Sequence, residues 1–473
     1  MNTLMKCTIA VLTCTGTLAL AGCNVGPKYR RPQVPAPPTF RGPDEAAVSS
    51  DPKDSLGDQQ WSTVFREPEL QDLIRQALAN NFDLRVAAQR VLEAQSQIRI
   101  TRAAGLPTIN VGGTGIGADL PSSLGDSLGG SNPLSFGSFN LSAAWTPDFW
   151  GLYRKQTEAA RQQMLAQSWA QRAVRMTLIG QVATSYFTLR SLDQQLEVAK
   201  QTLKARQDSV DLTKRLENGG SAPLSDVRQA EQLLFTASAQ IPQLEQQIQQ
   251  QENTMSLLMG KTPGPVTHID PSALSPVPQD LPVGLPSQLL ERRPDIQQAE
   301  AQLAAANAQV GVAKAQFFPQ LSISASAGVG GDSFSNIFDP DGKTIYGLGT
   351  LAQPIFAGGK IRGQYELSKQ QKEEMVLTYQ KTILAAFRDV SNSLIAVNKQ
   401  HATRAEQQKL VAAAQDATRL ANIRYQAGST GYLEVLTTDT NLFNARLNLI
   451  NAEQSEALSL VQLYQALGGG WQQ

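Results

Sequence analysis

The sequence contains few of the residues on which most active sites depend. Its 473 residues include two histidines, three cysteines and 6% aromatic side chains. His268 and His401 have no cysteine, histidine or carboxylate at the spacing of metal ligands, so we expect no metal site. No serine stands in a nucleophile elbow and no glycine-rich loop suits a phosphate, so we expect neither a cofactor nor an enzymatic activity. The formal net charge is zero, which argues against a nucleic-acid partner.

The three cysteines, Cys7, Cys14 and Cys23, all lie near the N-terminus. Residues 1–22 carry a positive charge at Lys6, followed by an apolar stretch and small residues, which is typical of a signal peptide. The apolar stretch is too short for a permanent transmembrane helix. Removal of residues 1–22 leaves Cys23 as the only cysteine, so the mature chain has no intrachain disulfide.

The letters LAGC, which end at Cys23, resemble a bacterial lipobox. The resemblance implies cleavage before Cys23 and a lipid on its thiol. The next residue is Asn24 and not the Asp linked to retention in the inner membrane, which favours the outer membrane. A single acyl chain binds a membrane weakly, so we expect several chains on this cysteine. Residues 23–60 are rich in proline and indicate an extended tether from the anchor to the body.

After the tether, the chain contains two copies of one architecture. Asp83 corresponds to Asp295 and Pro107 to Pro319, and both pairs are separated by 212 residues (295 − 83 and 319 − 107). Internal similarity at a fixed offset indicates a repeated structural unit. We therefore divide the rest of the chain into a first repeat over 61–264, a proline-rich linker over 265–286 and a second repeat over 287–473.

Each copy has the same predicted order of elements. A helix over 83–104 or 295–316 comes first, and a proline follows it. Two strands with alternating apolar and small polar residues come next. A helix without proline then covers 151–216 or 359–425, and a rise of 1.5 Å per residue makes it roughly 100 Å long. A glycine-containing turn and a returning helix complete the copy, and their apolar residues at spacings of three and four predict antiparallel packing.

The four strands of one chain cannot close a membrane barrel by themselves. Four strands leave two unpaired edges, which a lipid bilayer does not tolerate. A membrane barrel has at least about eight strands. We therefore expect two or three chains to share one barrel, with the apolar face toward lipid and the small polar face toward a water-filled lumen.

Several stretches resemble one family. The letters CNVGPKYRRP after the lipobox, LLERRPDIQQAEAQL at 289–303 and QALGGGW near the C-terminus are similar to those of TolC-like outer-membrane efflux factors. They resemble in particular the lipoprotein subgroup that serves resistance-nodulation-division (RND) pumps. The resemblance implies a fold that is mainly α with a small β part. It also implies a homotrimer, in which a twelve-stranded outer-membrane β-barrel continues into a twelve-helix periplasmic α-barrel.

The same resemblance implies a function and partners. The chain is expected to conduct drugs or other small molecules passively to the exterior of a Gram-negative cell. It would be lipid-anchored in the outer membrane, with a long periplasmic extension, and would work with a periplasmic adaptor and an inner-membrane pump of the RND type. A metal-ion channel or a type I secretion channel is the alternative in the same class. A coiled-coil adhesin without a pore is the alternative in a different class.

The two helix turns carry the candidate functional residues. Gly220 and Gly428 allow the chain to reverse. Each turn has an arginine just before it, Arg215 or Arg424, and an acid just after it, Asp226 or Glu434. By position, the resemblance nominates as residues that close the periplasmic mouth Asp226, Arg424, Tyr425, Leu433 and Glu434. Relatives often have an acid where this chain has Thr437, and the next acid here is Asp439, so the gate is not expected to be an identical copy. Arginine in a last helical turn and an acid in a first turn are also ordinary partners of the helix dipole, so a structural role stays open.

The charged letters ERRPD, at residues 291–295, are interpreted as a helix start and not as an active site. The first copy has Asn81 in place of Arg293 and Phe82 in place of Pro294. A helix start accounts for both versions, because it favours a capping Asn, a Pro at the first position and an Asp in the first turn.

Overall fold

The two copies fold into matching series of elements. The computed structural model describes residues 25–41, 55–118, 134–266, 282, 284, 286–332 and 336–471. The signal peptide, Cys23 and most of the linker lie outside the described residues. The first copy contains α1 Trp61–Val64, α2 Pro68–Asn80, α3 Phe82–Ala103, β1 Thr108–Ala118, β2 Leu134–Trp145, α4 Leu152–Asn218 and α5 Leu224–Leu258. The second contains α6 Pro286–Arg292, α7 Pro294–Ala315, β3 Gln320–Gly331, β4 Lys343–Ala352, α8 Lys360–Gln426 and α9 Tyr432–Ala466.

The helix lengths repeat from one copy to the other. α3 and α7 each have 22 residues, α4 and α8 each have 67, and α5 and α9 each have 35. The predicted order of helix, two strands, long helix and returning helix is confirmed in both copies. The predicted fold class, mainly α with a small β part built from a duplicated unit, is confirmed as well. The limits that we gave to the tether, repeats and linker stay predictions.

The starts of α3 and α7 differ in the way that the sequence indicates. The side-chain oxygen of Asn81 accepts a hydrogen bond from the backbone amide of Leu84 at 3.1 Å, which caps α3. Pro294 is the first residue of α7, and Asp295 lies in its first turn. The interpretation of the charged letters as a helix start is therefore confirmed.

Arg293 has a structural role beside that helix start. Its buried guanidinium donates to the two carboxylate oxygens of Asp295 at 3.0 and 2.7 Å. It also donates to the backbone carbonyl of Ala466, at the end of α9, at 3.2 Å. The indole of Trp471 donates to the backbone carbonyl of Arg292 at 3.0 Å. The charged stretch thus fastens the start of the second copy to the C-terminal end of the chain.

Contacts within the chain define two compact units. The first consists of the described residues of Met1–Pro32, Arg90–Gln167 and Ala299–Tyr379. The second consists of the described residues of Gln33–Gln89, Ser168–Gln298 and Gln380–Gln473. The first unit contains the sheet, and the second contains both helix turns. Within the described residues, no helix is both long enough and apolar enough to cross a membrane.

One face of the sheet of the first unit carries most of its large apolar side chains. Its strand order is β1-β2-β3-β4, and every neighbouring pair is antiparallel. Val111 lies opposite Leu141, Leu141 lies opposite Ala327, and Ala327 lies opposite Ile345. Successive side chains point to opposite faces, so Ser142 and its neighbours lie on the other, mainly polar face. The predicted alternation is confirmed in β2 from Ser138 to Trp145 and in β3, whereas Tyr346 and Leu348 of β4 lie on the same face as Ser142.

A segment at residues 25–32, which we call the strap, lies along α7 without regular secondary structure. The side-chain amide of Asn307 donates to the backbone carbonyl of Pro27 at 3.1 Å. Arg31 forms an ion pair with Glu300, with 3.0 Å between Nη2 and Oε2. The part of the predicted tether nearest to Cys23 is therefore bound to the helices of the first unit.

Candidate functional site

Both long helices reverse through the same kind of turn. Gly220 and Gly428 each have a φ of 70°, in the left-handed region that favours glycine. After α8, the backbone amide of Ser429 donates to the carbonyl of Arg424 at 2.9 Å, and the equivalent bond follows α4. These bonds satisfy carbonyl groups that a helix end leaves without partners. The two glycines thus lie where the chain reverses, and the candidate side chains flank them.

The first polar link joins the two sides of the second turn. Arg424, in the last turn of α8, donates to Glu434, in the first turn of α9, with 2.9 Å between Nη1 and Oε1. The hydroxyl of Thr430 donates to the other carboxylate oxygen of Glu434. The two charged side chains are 55% and 35% exposed. Water screens such a pair, so it contributes about 1 kcal/mol or less to stability.

The second polar link joins one copy to the other. The hydroxyl of Tyr425, near the end of α8, donates to Oδ2 of Asp226, near the start of α5, at 3.1 Å. The Tyr425 ring is buried and packs edge-on against Tyr432, with 5.2 Å between the ring centroids. Burial raises the pKa of Tyr425, and the hydrogen bond to Asp226 and its negative charge raise it further. The hydroxyl therefore remains a hydrogen-bond donor throughout the neutral pH range.

An apolar cluster lies directly beside these links. Its buried members come from four helices and are Val210, Ala230, Ala421, Tyr425, Tyr432 and Val435. Burial of a large apolar side chain contributes about 1.5–3 kcal/mol, more than an exposed ion pair. The hydrophobic contact is thus the stronger connection between the ends of α4, α5, α8 and α9.

A third link lies deeper, and the sequence did not lead us to it. Arg206 on α4 is 3% exposed and pairs with Asp439 on α9, with 2.8 Å between Nη2 and Oδ2. Its Nη1 also donates to the backbone carbonyl of Leu233 on α5 at 2.8 Å. Arg206 and Asp439 line a cavity of about 200 Å³. A signal was available, because Arg206 interrupts an apolar seam four residues before the buried Val210.

Four of the six candidate residues form two links, and the other two take part in neither. Arg215 is exposed, and no carboxylate among the described residues lies within ion-pair distance of it. Leu433 is 65% exposed at the start of α9. Asp439, the acid closest to the position of Thr437, pairs with Arg206. The role of all six residues as a gate stays a prediction.

His401 has a carboxylate partner that is distant in sequence. Its Nδ1 lies 2.7 Å from Oε1 of Glu456, and Nη1 of Arg404 lies 3.1 Å from the other oxygen of that carboxylate. Glu456 follows His401 by 55 residues and lies on the returning helix, so local spacing could not reveal the contact. Within the described part of the chain, no group of three or more His, Cys, Asp or Glu side chains could hold a metal ion. His268 lies outside the described residues.

Comparison with known proteins places this arrangement in a family. A family model described as outer membrane efflux protein matches residues 73–261 and, a second time, residues 285–469. The chain belongs to the outer membrane efflux protein family. The starts of the two matches are 212 residues apart (285 − 73), which is the offset of the internal repeat in this outer membrane efflux protein.

Two relatives of this outer membrane efflux protein align with nearly its whole length. The cation efflux system protein CusC of Escherichia coli O6:H1 is 34% identical over 459 residues, which cover 96% of this chain and 97% of the relative. The probable efflux pump outer membrane protein TtgC of Pseudomonas putida is 35% identical over 460 residues, which cover 96% and 93%.

Solved channels share the fold of this outer membrane efflux protein. The open state of the Neisseria gonorrhoeae MtrE outer membrane channel is similar with a TM-score of 0.83 and 28% identity, over 95% of this chain and 99% of that one. A crystal structure of CusC is similar with a TM-score of 0.82 and 31% identity, over 94% and 100%. The protein is therefore an outer-membrane channel of an efflux system, and the resemblance to outer-membrane efflux factors is confirmed, while the lipoprotein subgroup stays a prediction.

Proposed function

We propose that three copies of this chain form one closed channel, with twelve strands in the outer membrane and twelve helices around a periplasmic tunnel. The sheet carries this proposal. Among the described residues its β1 and β4 edges have no partner strand, and one of its faces is predominantly apolar. Closure in lipid requires that both edges be paired. Three sets of four strands give an even-numbered barrel of a size that bacterial outer membranes contain.

The channel is proposed to be a passive conduit in a tripartite system. A tunnel performs no chemical step, so no catalytic residue or cofactor is required of it. An inner-membrane pump of the RND type supplies the energy, and a periplasmic adaptor connects the pump to the channel. Lipid on Cys23 anchors each copy in the outer membrane. Drugs and other small organic molecules are the proposed cargo, and the similarity to CusC, a cation efflux protein, makes metal ions the second candidate.

The polar links at the helix turns are proposed to close the periplasmic mouth. The Arg424–Glu434 pair and the Tyr425–Asp226 bond connect α8 with α9 and α5 at their ends. Both links involve groups within reach of solvent, so adaptor side chains can compete for them. Arg215 and Leu433 are exposed beside these links, where residues of the neighbouring copies or of the adaptor can contact them.

Purified, lipidated protein tests the channel directly. Light scattering in detergent is expected to give the mass of a trimer, and insertion into a planar bilayer is expected to give discrete steps of ionic current. A monomer, or a trimer that inserts without conducting, would contradict the proposal. The adhesin alternative predicts the second of these outcomes.

A further inference from the structure

The first unit contains a large cavity with an unusual lining. Its volume is about 1010 Å³, and it lies between α3, α4, α7 and α8. Alanine and glutamine dominate the lining, and the glutamines are Gln97, Gln156, Gln163, Gln302, Gln309 and Gln371. The lining residues in the described part of the chain include one ionisable side chain, Glu374, and one sulfur, that of Met375.

Four of these glutamines occupy equivalent positions in the two copies. Gln97 on α3 and Gln309 on α7 are separated by the repeat offset of 212 residues (309 − 97). Gln163 on α4 and Gln371 on α8 are separated by 208 residues (371 − 163), which is also the offset between the starts of those helices. Each of the four helices therefore contributes one glutamine to the same belt, which we call the glutamine belt.

The strap shows which face of α7 this belt occupies. The strap contacts α7 through Glu300 and Asn307. At about 100° per residue, Gln302 and Gln309 lie about 200° and 180° around the helix from Glu300. The strap follows Cys23 closely in sequence, and a lipid-anchored residue has to lie outside the tunnel. The strap-covered face of α7 is then the outer face, and the glutamine face is the inner one.

Lys369 and Glu366 of α8 lie away from the cavity, whereas one acid of the same helix, Glu374, lines it. Lys369 pairs with Glu366 at 3.3 Å, and both side chains are about half exposed. These two residues lie about 160° and 140° around the helix from Gln371. Apart from Glu374, the lining of the cavity is uncharged, because Lys369 and Glu366 lie on the other face of the same helix.

We propose that the glutamine belt lines the tunnel and gives this part of it a largely uncharged, hydrogen-bonding wall, in which Glu374 is the one acid of each chain, so that polar organic solutes can pass. This inference rests on the proposed channel function. A glutamine amide offers two N–H donors and an accepting carbonyl without a net charge, so it can hydrogen-bond to cationic, anionic and neutral solutes. Rings of charged side chains would instead select one sign of charge. Soft metal ions prefer thiolate, thioether or imidazole ligands; the glutamines supply none of these, and the described lining has a single thioether, that of Met375, in each chain, so the belt favours organic cargo over metal ions.

A pair of identical substitutions on α3 tests the position of the belt. Gln95 corresponds to Asn307 on the strap-covered face (307 − 95 = 212), and both Gln95 and Gln97 are exposed in one chain. Gln97→Glu adds three carboxylates to the tunnel wall of a trimer, and Gln95→Glu adds three to the outside. In a KCl gradient across a planar bilayer, Gln97→Glu is expected to raise the K⁺/Cl⁻ permeability ratio about threefold or more. Gln95→Glu is expected to leave the ratio unchanged, and equal effects of the two variants would overturn the inference.

Thiol labelling gives a second measurement that needs no current. The mature chain is expected to have no free thiol besides those introduced by Gln97→Cys or Gln95→Cys. A small maleimide is expected to modify both variants, whereas a polymeric maleimide too large for the tunnel is expected to modify only Gln95→Cys. Modification of both variants by the polymer would overturn the inner position of Gln97. A trimer that conducts no ions would instead contradict the channel function, so the two failures can be told apart.

Discussion

At the scale of single residues, the three links near the helix turns differ in how far water reaches them. The Arg424–Glu434 pair is largely exposed, and the Tyr425–Asp226 bond combines a buried ring with a partly exposed acid. The guanidinium of Arg206 is buried. An exposed pair can exchange partners at little cost, whereas separation of a buried pair leaves an uncompensated charge. The first two links therefore suit a gate, and the third suits a fixed support.

The gate proposal predicts the effect of removing one hydroxyl. Tyr425→Phe keeps the ring in the apolar cluster and removes the hydrogen bond to Asp226, which stabilises the closed arrangement by about 1 kcal/mol or more. A loss of that size shifts the ratio of closed to open channels about fivefold. The ratio of open to closed time in planar bilayers is expected to rise by this factor. Tyr464→Phe removes a hydroxyl that donates to the carbonyl of Gln59 at 2.8 Å and should leave gating unchanged. A Tyr425→Phe channel that gates like the unaltered protein would remove this bond from the gate.

The support role of Arg206 predicts a loss of stability that gating residues should not show. Asp439→Asn leaves a buried cation without its counter-charge and is expected to cost about 3–5 kcal/mol. Arg206→Leu combined with Asp439→Leu should recover most of that loss, because it removes both charges together. The midpoint of thermal unfolding measures both effects. Asp416→Asn, in an exposed pair with Arg419, is the control and should change stability by less than about 1 kcal/mol.

The sequence predicted which residues belong to the site better than it predicted which residues they pair with. Arg424 and Glu434 flank a glycine turn, so local spacing was enough to nominate them. The pairing of Arg206 with Asp439 spans 233 residues and depends on which helices are neighbours in space. The pairing of His401 with Glu456 was missed for the same physical reason. The periodicity along one helix does not indicate which side chains of another helix it contacts.

At the scale of elements, the duplication makes local prediction strong. The expected helices over 83–104 and 295–316 are found at Phe82–Ala103 and Pro294–Ala315. The proline after each helix marks where the helix ends, and the alternation after the proline indicates a strand. Short stretches of sequence therefore predict both elements. The order of strands in the sheet cannot be predicted from such short stretches. It joins β2 of one copy to β3 of the other, a pairing that depends on how the copies fold together.

The helix turns predict opposite effects for two glycine substitutions in α8 and its turn. Gly428 has a φ of 70°, so Gly428→Ala places an L-residue in the left-handed region, which costs about 1–2 kcal/mol. Gly363 lies inside α8, and Gly363→Ala is expected to stabilise the protein by about 0.5–1 kcal/mol. Neither added Cβ would meet an atom within 4 Å, so backbone conformation alone accounts for the difference. Thermal unfolding of both variants measures it, and a shift in the same direction would contradict this account of the turn.

At the scale of the whole molecule, the chain presents surfaces that only an assembly can satisfy. In one chain, Val111 is 78% exposed and Ile345 is 86% exposed, although both belong to the apolar face of the sheet. Large exposed apolar surfaces mark contact with a membrane or with another protein. Each repeat contributes half of the sheet. In the proposed trimer, the edge strands of each chain pair with strands of other copies. Strands of different chains thus pair in the proposed trimer as β2 and β3 pair between the two repeats of one chain.

The proposed orientation of the sheet predicts that two neighbouring residues of β1 tolerate a lysine very differently. Val111→Lys places a charge on the lipid-facing side, which costs up to about 2–4 kcal/mol for each chain near the middle of the membrane. Asn110→Lys places the same charge on the opposite face, toward the aqueous lumen, because successive residues of a strand alternate. The amount of trimer in isolated outer membranes, measured on gels before and after heating, is expected to fall strongly for Val111→Lys and little for Asn110→Lys. The reverse order would show that the polar face meets lipid, and equal amounts of trimer would show that neither face does.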